Sequence, residues 1–183
     1  MADRLPPVKR EDLTSTEQPS FDSLASLAGN LFGSPESSPF IYKRPDGAFV
    51  GPFPLFLAAP EAGEHTMAHF GKLATIPGLP ADAKEVAILT VGAHYQAAYE
   101  LYAHTNVAIK KVGMERGLVE AVARGEKPEG MNEGCEVAFE TARYLVAKPG
   151  PLPGEMWERG GLMDSRRGSE EREFFHVIKI LLQ

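Results

Sequence analysis

The chain has 183 residues, of which 43% are hydrophobic and 24% charged, as in an ordinary globular protein. Its formal net charge of -6 leaves no basic stripe to neutralise phosphates, which excludes general nucleic-acid binding. No stretch has the roughly 20 consecutive apolar residues of a membrane helix, so no membrane partner is expected.

Cys135 is the only cysteine of the sequence, so no internal disulfide can form and a reducing compartment is expected. The opening MADRLPPVKRED is charged and contains no apolar core of a secretion signal. We therefore expect a cytoplasmic protein. Cys135 lies in the first turn of a predicted helix, where the helix dipole can activate a thiol, although an inert buried cysteine is the commoner case.

The N-terminal part of the chain lacks long regular patterns. Residues 1–40 are expected to form a flexible arm, with a possible short helix at Phe21–Leu31, where apolar residues recur at helical spacing. The segment Tyr42–Pro60 is apolar but contains four prolines. Such a segment is typical of an extended loop that holds at most a helical turn.

Helical patterns dominate from there to the end of the chain. Helices are predicted at 64–74, 82–94, 97–112, 115–124, 132–147, 153–159 and 169–182. Gly113 and Gly125 are predicted to end helices, and Asn132 to cap the start of one. No alternating run with hairpin turns is present, so residues 41–183 are predicted to form a single all-α domain.

The helices predicted at 82–94 and 97–112 bear more apolar surface than a short chain easily covers. The first of them is apolar on nearly every side, which indicates that neighbouring helices or a second copy surround it. We therefore expect a homo-oligomer, such as a dimer, trimer or hexamer.

The most specific pattern is AAYELYAHTNVAIKKV, at 97–112. At roughly 100° per residue, Glu100 and His104 lie one turn apart on the same helix face, beside an apolar stripe. A carboxylate beside an imidazole in a partly dry setting forms an acid–base pair, because the carboxylate favours the charged ring while desolvation opposes it. The same spacing is typical of a surface pair contributing about 0.2–0.5 kcal/mol, and both interpretations stay open.

Glu85 lies on an apolar face of the preceding helix, in line with Leu89 and Gly92. An unpaired buried carboxylate is costly, so Glu85 needs a partner, and His104 would approach it if the two helices form an antiparallel hairpin. Alternatively, Glu85 is solvated in the first turn and stabilises the helix dipole. His94 ends the same helix and is predicted either to bind an anionic substrate or to favour the helix C-terminus as a cation.

His65 and His69 have the i,i+4 spacing of two zinc ligands. No Glu lies between them as in a metalloprotease helix, and no third ligand is evident nearby. We expect no metal and no cofactor. A metal held by Glu85, Glu100 and His104 is a less favoured alternative.

These residues together resemble the carboxymuconolactone decarboxylase and alkylhydroperoxidase D superfamily, over roughly Asp46 to Val146. DGAFVGPFPLFLAAPE is similar to the segment that leads to the family's cavity. LPADAKEVAILTVGAHYQAAYELYAHTNVAIKKVG is similar to its central hairpin, "L..RE.AIL.VA......YEW..H...A...G". The resemblance implies an alkylhydroperoxidase D-like helical fold and places Glu85, Glu100 and His104 at the hairpin's two acids and its histidine.

The departures from the family pattern narrow the expected chemistry. Peroxidase members have two cysteines where this chain has Ala97 and Glu100. Thiol–disulfide exchange needs two sulfurs, so dithiol peroxidase activity is excluded. Leu101 replaces a tryptophan and Ala98 a commonly acidic residue, which implies a reshaped pocket. The ending SEEREFFHVIKILLQ is shorter than the family's closing helix, which could weaken the oligomer.

We therefore expect a cofactor-free enzyme that decarboxylates or isomerises a small carboxylated, lactone or polyketide-like substrate. His104 would move a proton, and Glu100 would orient the imidazole of His104. Glu85 would be a second acid or an anchor. The residues expected to contact the substrate are His94, Phe53 and Leu101. The alternatives are a non-catalytic oligomer that binds a small ligand or a protein, and a metal-dependent hydrolase or lyase.

Overall fold

Every regular element of the described chain is helical, which confirms the all-α prediction. The computed structural model describes residues 5–75, 80–148 and 150–165. Within these ranges the only strand-like pairings are two isolated β-bridges made by Phe49.

Contacts divide the chain into two compact units, Met1–Thr75 and Ile76–Gln183. The first unit contains a 3-10 turn (Arg10–Asp12), α1 (Gln18–Phe32), α2 (Phe53–Ala58) and α3 (Pro60–Ala74). The second unit contains α4 (Ala81–Tyr95), α5 (Ala98–Val107), a π-helical turn (Ala108–Val112), α6 (Arg116–Ala123), α7 (Glu133–Ala147) and α8 (Gly154–Ser165). The domain boundary predicted between residues 40 and 41 lies inside the first unit.

An aromatic cluster forms the core of the first unit. The ring of Phe49 stacks on Phe53 with centroids 5.0 Å apart and contacts Phe21 of α1 at 4.7 Å. Tyr42 lies beside Phe49 and Phe53, and its hydroxyl donates to the carbonyl of Gly33 at 2.7 Å. Aromatic pairs contribute about 0.5–1.5 kcal/mol each beyond their burial. Much of this core therefore comes from the segment that the sequence marks as an apolar loop.

Residues near the N-terminus contact this core. The backbone N–H of Val8 donates to the carbonyl of Phe49 at 3.2 Å, and Phe49 donates back at 2.8 Å. The guanidinium of Arg10 donates to the carboxylate of Asp22 on α1 at 2.8 Å. The part of the predicted arm that precedes α1 is thus hydrogen-bonded to α1 and to the aromatic segment.

Helix α2 is the main difference from the predicted elements of the first unit. Pro52 is its N-cap and Pro54 lies in its first turn, where the missing N–H of proline has no intrahelical partner to lose. For the same reason α3 begins at Pro60 instead of Glu64. Prolines that suggest a loop therefore start two helices.

Helix α4 lies at the centre of the second unit, where it contacts α5, α6 and α7. The side chains that fill the space between these helices are aliphatic and aromatic, and they are almost completely buried. They include Val86 and Leu89 of α4, Val119 and Val122 of α6, and Phe139 of α7. The prediction that neighbours surround this helix is confirmed on the faces that carry these residues.

The predicted helix ends of the second unit are largely confirmed. Gly113 and Gly125 both have a φ of 80°, which a residue without Cβ adopts at no steric cost. The side chain of Asn132 accepts from the backbone N–H of Cys135 at 2.9 Å, which caps α7. The helix predicted at 97–112 differs, because its last five residues widen into the π-helical turn.

Among the described residues, every helix is too short or too polar to span a bilayer. The helix predicted at 169–182 lies outside the described residues.

Candidate acid–base site around His104

The two helices that carry the site are joined by a tight link. Gln96 adopts a left-handed conformation (φ 52°) after α4, and the N–H of Ala97 donates to the carbonyl of Gly92 at 2.9 Å. Leu101 of α5 packs directly on Gly92, since a Cβ there would lie 3.2 Å from its Cδ2. The absence of a side chain at Gly92 thus lets α5 approach α4 closely.

Glu85 of α4 and His104 of α5 form a short polar contact between these helices. Glu85 Oε2 lies 2.7 Å from His104 Nδ1, and the Glu85 side chain is only 4% exposed. A buried carboxylate needs a donor, and the imidazole supplies one when Nδ1 carries a proton. This bond fixes the ring orientation and favours the tautomer that leaves Nε2 free to accept a proton.

Glu100 lies at the other ring nitrogen of His104. Its Oε2 is 3.5 Å from Nε2, which exceeds an ordinary N–H···O hydrogen bond. Its side chain is 45% exposed, whereas that of His104 is 27% exposed. The structure therefore brings the three predicted catalytic residues together, with one acid at each ring nitrogen and only Glu85 buried.

Tyr99 and Tyr102 lie beside Glu100 in sequence, and their ring centroids are 6.1 Å apart. Burial, followed by the negative charge of Glu100 and the presence of Tyr102, raises the pKa of Tyr99 far above its usual range. Tyr99 is therefore a neutral phenol at physiological pH. In that form it can donate or accept a hydrogen bond but cannot act as a base.

The three predicted substrate-contact residues have different surroundings. Leu101 is half-buried between α5 and α4. His94 is exposed, and its ring contacts that of Tyr95 at 4.8 Å. Phe53 is buried in the aromatic cluster of the first unit. Leu101 follows Glu100 in α5 and packs on Gly92 of α4. All three substrate roles stay predictions.

His65 and His69, the other spaced histidine pair, are both exposed on α3. Within the described residues, no three His, Cys, Asp or Glu side chains are arranged to hold a metal ion.

Cys135 is buried in the core of the second unit, near the start of α7. Burial, reinforced by the negative charge of Asp82, raises the pKa of the thiol to about 12. The buried, inert alternative for this cysteine therefore agrees with its surroundings, because the thiolate is the reactive form.

Thiol labelling tests this view of Cys135. At pH 8 the folded protein should react with iodoacetamide at less than about one hundredth of the rate of an unfolded cysteine, because few molecules hold a buried thiolate. Mass spectrometry over time gives the rate, and the same protein in denaturant is the control. Equal rates in the two samples would contradict the burial of this thiol.

The sequence predicts that Glu100 is the acid that orients His104, but the shorter contact to the ring comes from Glu85. The signal for Glu85 was its position on an apolar helix face, which required a partner. That signal did not say which ring nitrogen the partner would offer.

No model of a known protein family, no curated protein and no solved structure matches this chain.

Proposed function

We propose that the second unit is a cofactor-independent acid–base catalyst in which His104 Nε2 transfers a proton to or from a carbon beside a carbonyl. Glu85 holds the Nδ1 proton and stabilises the charged ring, and Glu100 lies at the nitrogen that meets the substrate. The observation that carries the proposal is the 2.7 Å contact between a buried carboxylate and a partly exposed imidazole.

The burial of Glu85 argues against a simple surface ion pair. Exposed pairs contribute about 0–1 kcal/mol and need no desolvated partner. Here the carboxylate is removed from water, and its oxygen contacts the ring nitrogen that lies away from Glu100. A buried carboxylate that orients a histidine in this way is a recurring arrangement in acid–base catalysis.

The proposed reaction is an isomerisation or a decarboxylation through an enolate. In isomerisation, Nε2 removes a proton from the carbon beside the carbonyl, and the imidazolium then returns it to another carbon. In decarboxylation, CO₂ leaves with cleavage of its carbon–carbon bond, the electron pair remains as an enolate, and the imidazolium protonates the carbon. The neutral ring then regains a proton from solvent.

The resemblance to the carboxymuconolactone decarboxylase-like group supports this choice of reaction. It makes a small carboxylated, lactone or polyketide-like compound the proposed substrate. The sequence contains one cysteine, so the dithiol peroxidase chemistry of related enzymes is not part of the proposal. A cytoplasmic homo-oligomer is also proposed, on the single cysteine and on the apolar surface of the helices predicted at 82–94 and 97–112.

A non-catalytic binding module is the second candidate. Tyr95 and Tyr102 have 65% and 41% of their surface exposed. Exposed tyrosines are common in protein interfaces. On this alternative, the carboxylate–imidazole pair would stabilise the packing of α4 on α5 and would have no role in turnover.

A His104→Gln variant separates the two candidates. On a panel of carboxylated lactones and β-keto acids, we expect its kcat/KM to fall at least about 100-fold, because the proton carrier is lost. The assay is product formation by liquid chromatography.

The matched control is His69→Gln, which removes an exposed histidine of the first unit and should leave turnover unchanged. Equal turnover by wild type and His104→Gln would remove His104 from the reaction. A panel on which wild-type protein shows no turnover would favour the binding module.

A further inference from the structure

The distance between His104 Nε2 and Glu100 Oε2 is longer than that of a direct hydrogen bond. Their separation is 3.5 Å. A direct N–H···O hydrogen bond would bring these atoms to about 2.7–3.2 Å. A water molecule bonded to both would instead hold them about 4.5 Å apart, given two bonds near 2.8 Å at a tetrahedral angle. The observed distance is that of an ion pair without a direct hydrogen bond, so it leaves Nε2 without a close protein partner.

The same distance is also compatible with a metal ion shared by the two side chains. Zinc bound to a histidine nitrogen and a carboxylate oxygen at about 2.1 Å each, at a tetrahedral angle, separates the two ligands by about 3.4 Å. Glu100 and His104 are also one helical turn apart, so one rigid element presents both ligands. Little movement is needed for an ion to enter between them.

Glu85 provides the outer support that such a site requires. A histidine that binds zinc through one nitrogen usually donates its other N–H to a carboxylate, which orients the ring and strengthens it as a ligand. Glu85 Oε2 lies 2.7 Å from Nδ1 and is buried, so this partner is already in place before any ion binds.

We infer that His104 Nε2 and Glu100 form a two-ligand site for a zinc-like divalent cation, with Glu85 as the supporting carboxylate and water in the remaining positions. Two protein ligands are fewer than in structural zinc sites, so the affinity is expected to be lower than that of such sites. The bound ion covers the nitrogen that the proposed reaction uses, and it therefore inhibits that reaction. Binding itself does not depend on the proposed function, because it is measured without substrate.

Calorimetric titration of the full chain with ZnCl₂, after EDTA treatment and dialysis, tests the site. We expect one equivalent of zinc to bind saturably to the wild-type chain, and we expect the His104→Gln variant to lose this binding. Glu100→Gln should weaken it about tenfold by loss of an anionic ligand. Glu85→Gln should also weaken it about tenfold by loss of the supporting carboxylate. Glu100 is partly exposed, so its variant tests the site even if the buried Glu85 substitution unfolds the protein.

The matched control is the double variant His65→Gln and His69→Gln, which removes the exposed pair on α3. This double variant should still bind the one equivalent of zinc that the His104→Gln variant does not bind. The inference is overturned if wild-type protein shows no saturable zinc binding, if the His104→Gln variant binds as wild type does, or if the equivalent disappears in the α3 double variant.

Discussion

Replacing Glu85 with Gln is expected to lower the kcat of the proposed reaction about 100-fold, whereas Glu100→Gln should lower it less than about tenfold. The reason is the ring nitrogen that each acid contacts. Glu85 Oε2 is 2.7 Å from Nδ1 and buried, while Glu100 Oε2 is 3.5 Å from Nε2 and partly exposed. An amide at position 85 can donate to Nδ1, which moves the ring proton to Nε2 and removes the base.

Steady-state kinetics of the two variants measures this difference. Glu85 acts through His104 and is not proposed to touch substrate, so kcat should fall while KM changes little. Circular dichroism of both variants controls for folding. A larger loss in Glu100→Gln than in Glu85→Gln, or a change confined to KM, would contradict the positioning role of Glu85.

Replacing Gly63 with Ala is expected to destabilise the first unit by about 3 kcal/mol. A Cβ at Gly63 would lie 2.4 Å from the carbonyl oxygen of Phe56 and 2.7 Å from its Cα. Both are backbone atoms of α2, so no side-chain rotation relieves the overlap. The helices α2 and α3 would have to move apart, and the packing of the neighbouring rings would loosen.

Gly29→Ala is the matched control, because nothing lies within 4 Å of a Cβ at this position of α1. It should stabilise the protein by about 0.5–1 kcal/mol, since alanine favours a helix more than glycine does. Urea unfolding followed by far-ultraviolet circular dichroism gives the free energy of unfolding. Near-ultraviolet dichroism follows the aromatic cluster of the first unit. An unchanged midpoint for Gly63→Ala would contradict the close approach of α2 and α3.

Much of the secondary structure could be predicted, because its causes are local. Apolar periodicity located the helices of the second unit, and Gly113, Gly125 and Asn132 marked helix ends that the structure confirms. The prediction of an extended loop at Tyr42–Pro60 missed helix α2, because proline is unfavourable inside a helix but tolerated in its first turn. The sequence pattern there did not say which of the two positions Pro54 would occupy.

The residues of the candidate site could be predicted from the sequence, but the distances between them could not. Helical spacing placed Glu100 and His104 on one face, and an acid on the apolar face of α4 indicated that Glu85 needed a partner. The contact between Glu85 and Nδ1 depends on how closely α5 packs on α4. That spacing depends in turn on Leu101 lying against the bare backbone of Gly92. The fully antiparallel hairpin and the superfamily membership stay predictions.

The all-α class and most helix bounds follow from the sequence alone, because residue spacing and capping residues set them. The single cysteine likewise excludes an internal disulfide. Three properties of the site are visible only in the folded chain: the burial of the Glu85 carboxylate, the ring nitrogen that it contacts, and the distance from Glu100 to the other ring nitrogen. These properties come from contacts between residues distant in sequence. Packing sets such distances to a fraction of an ångström, and local preferences do not.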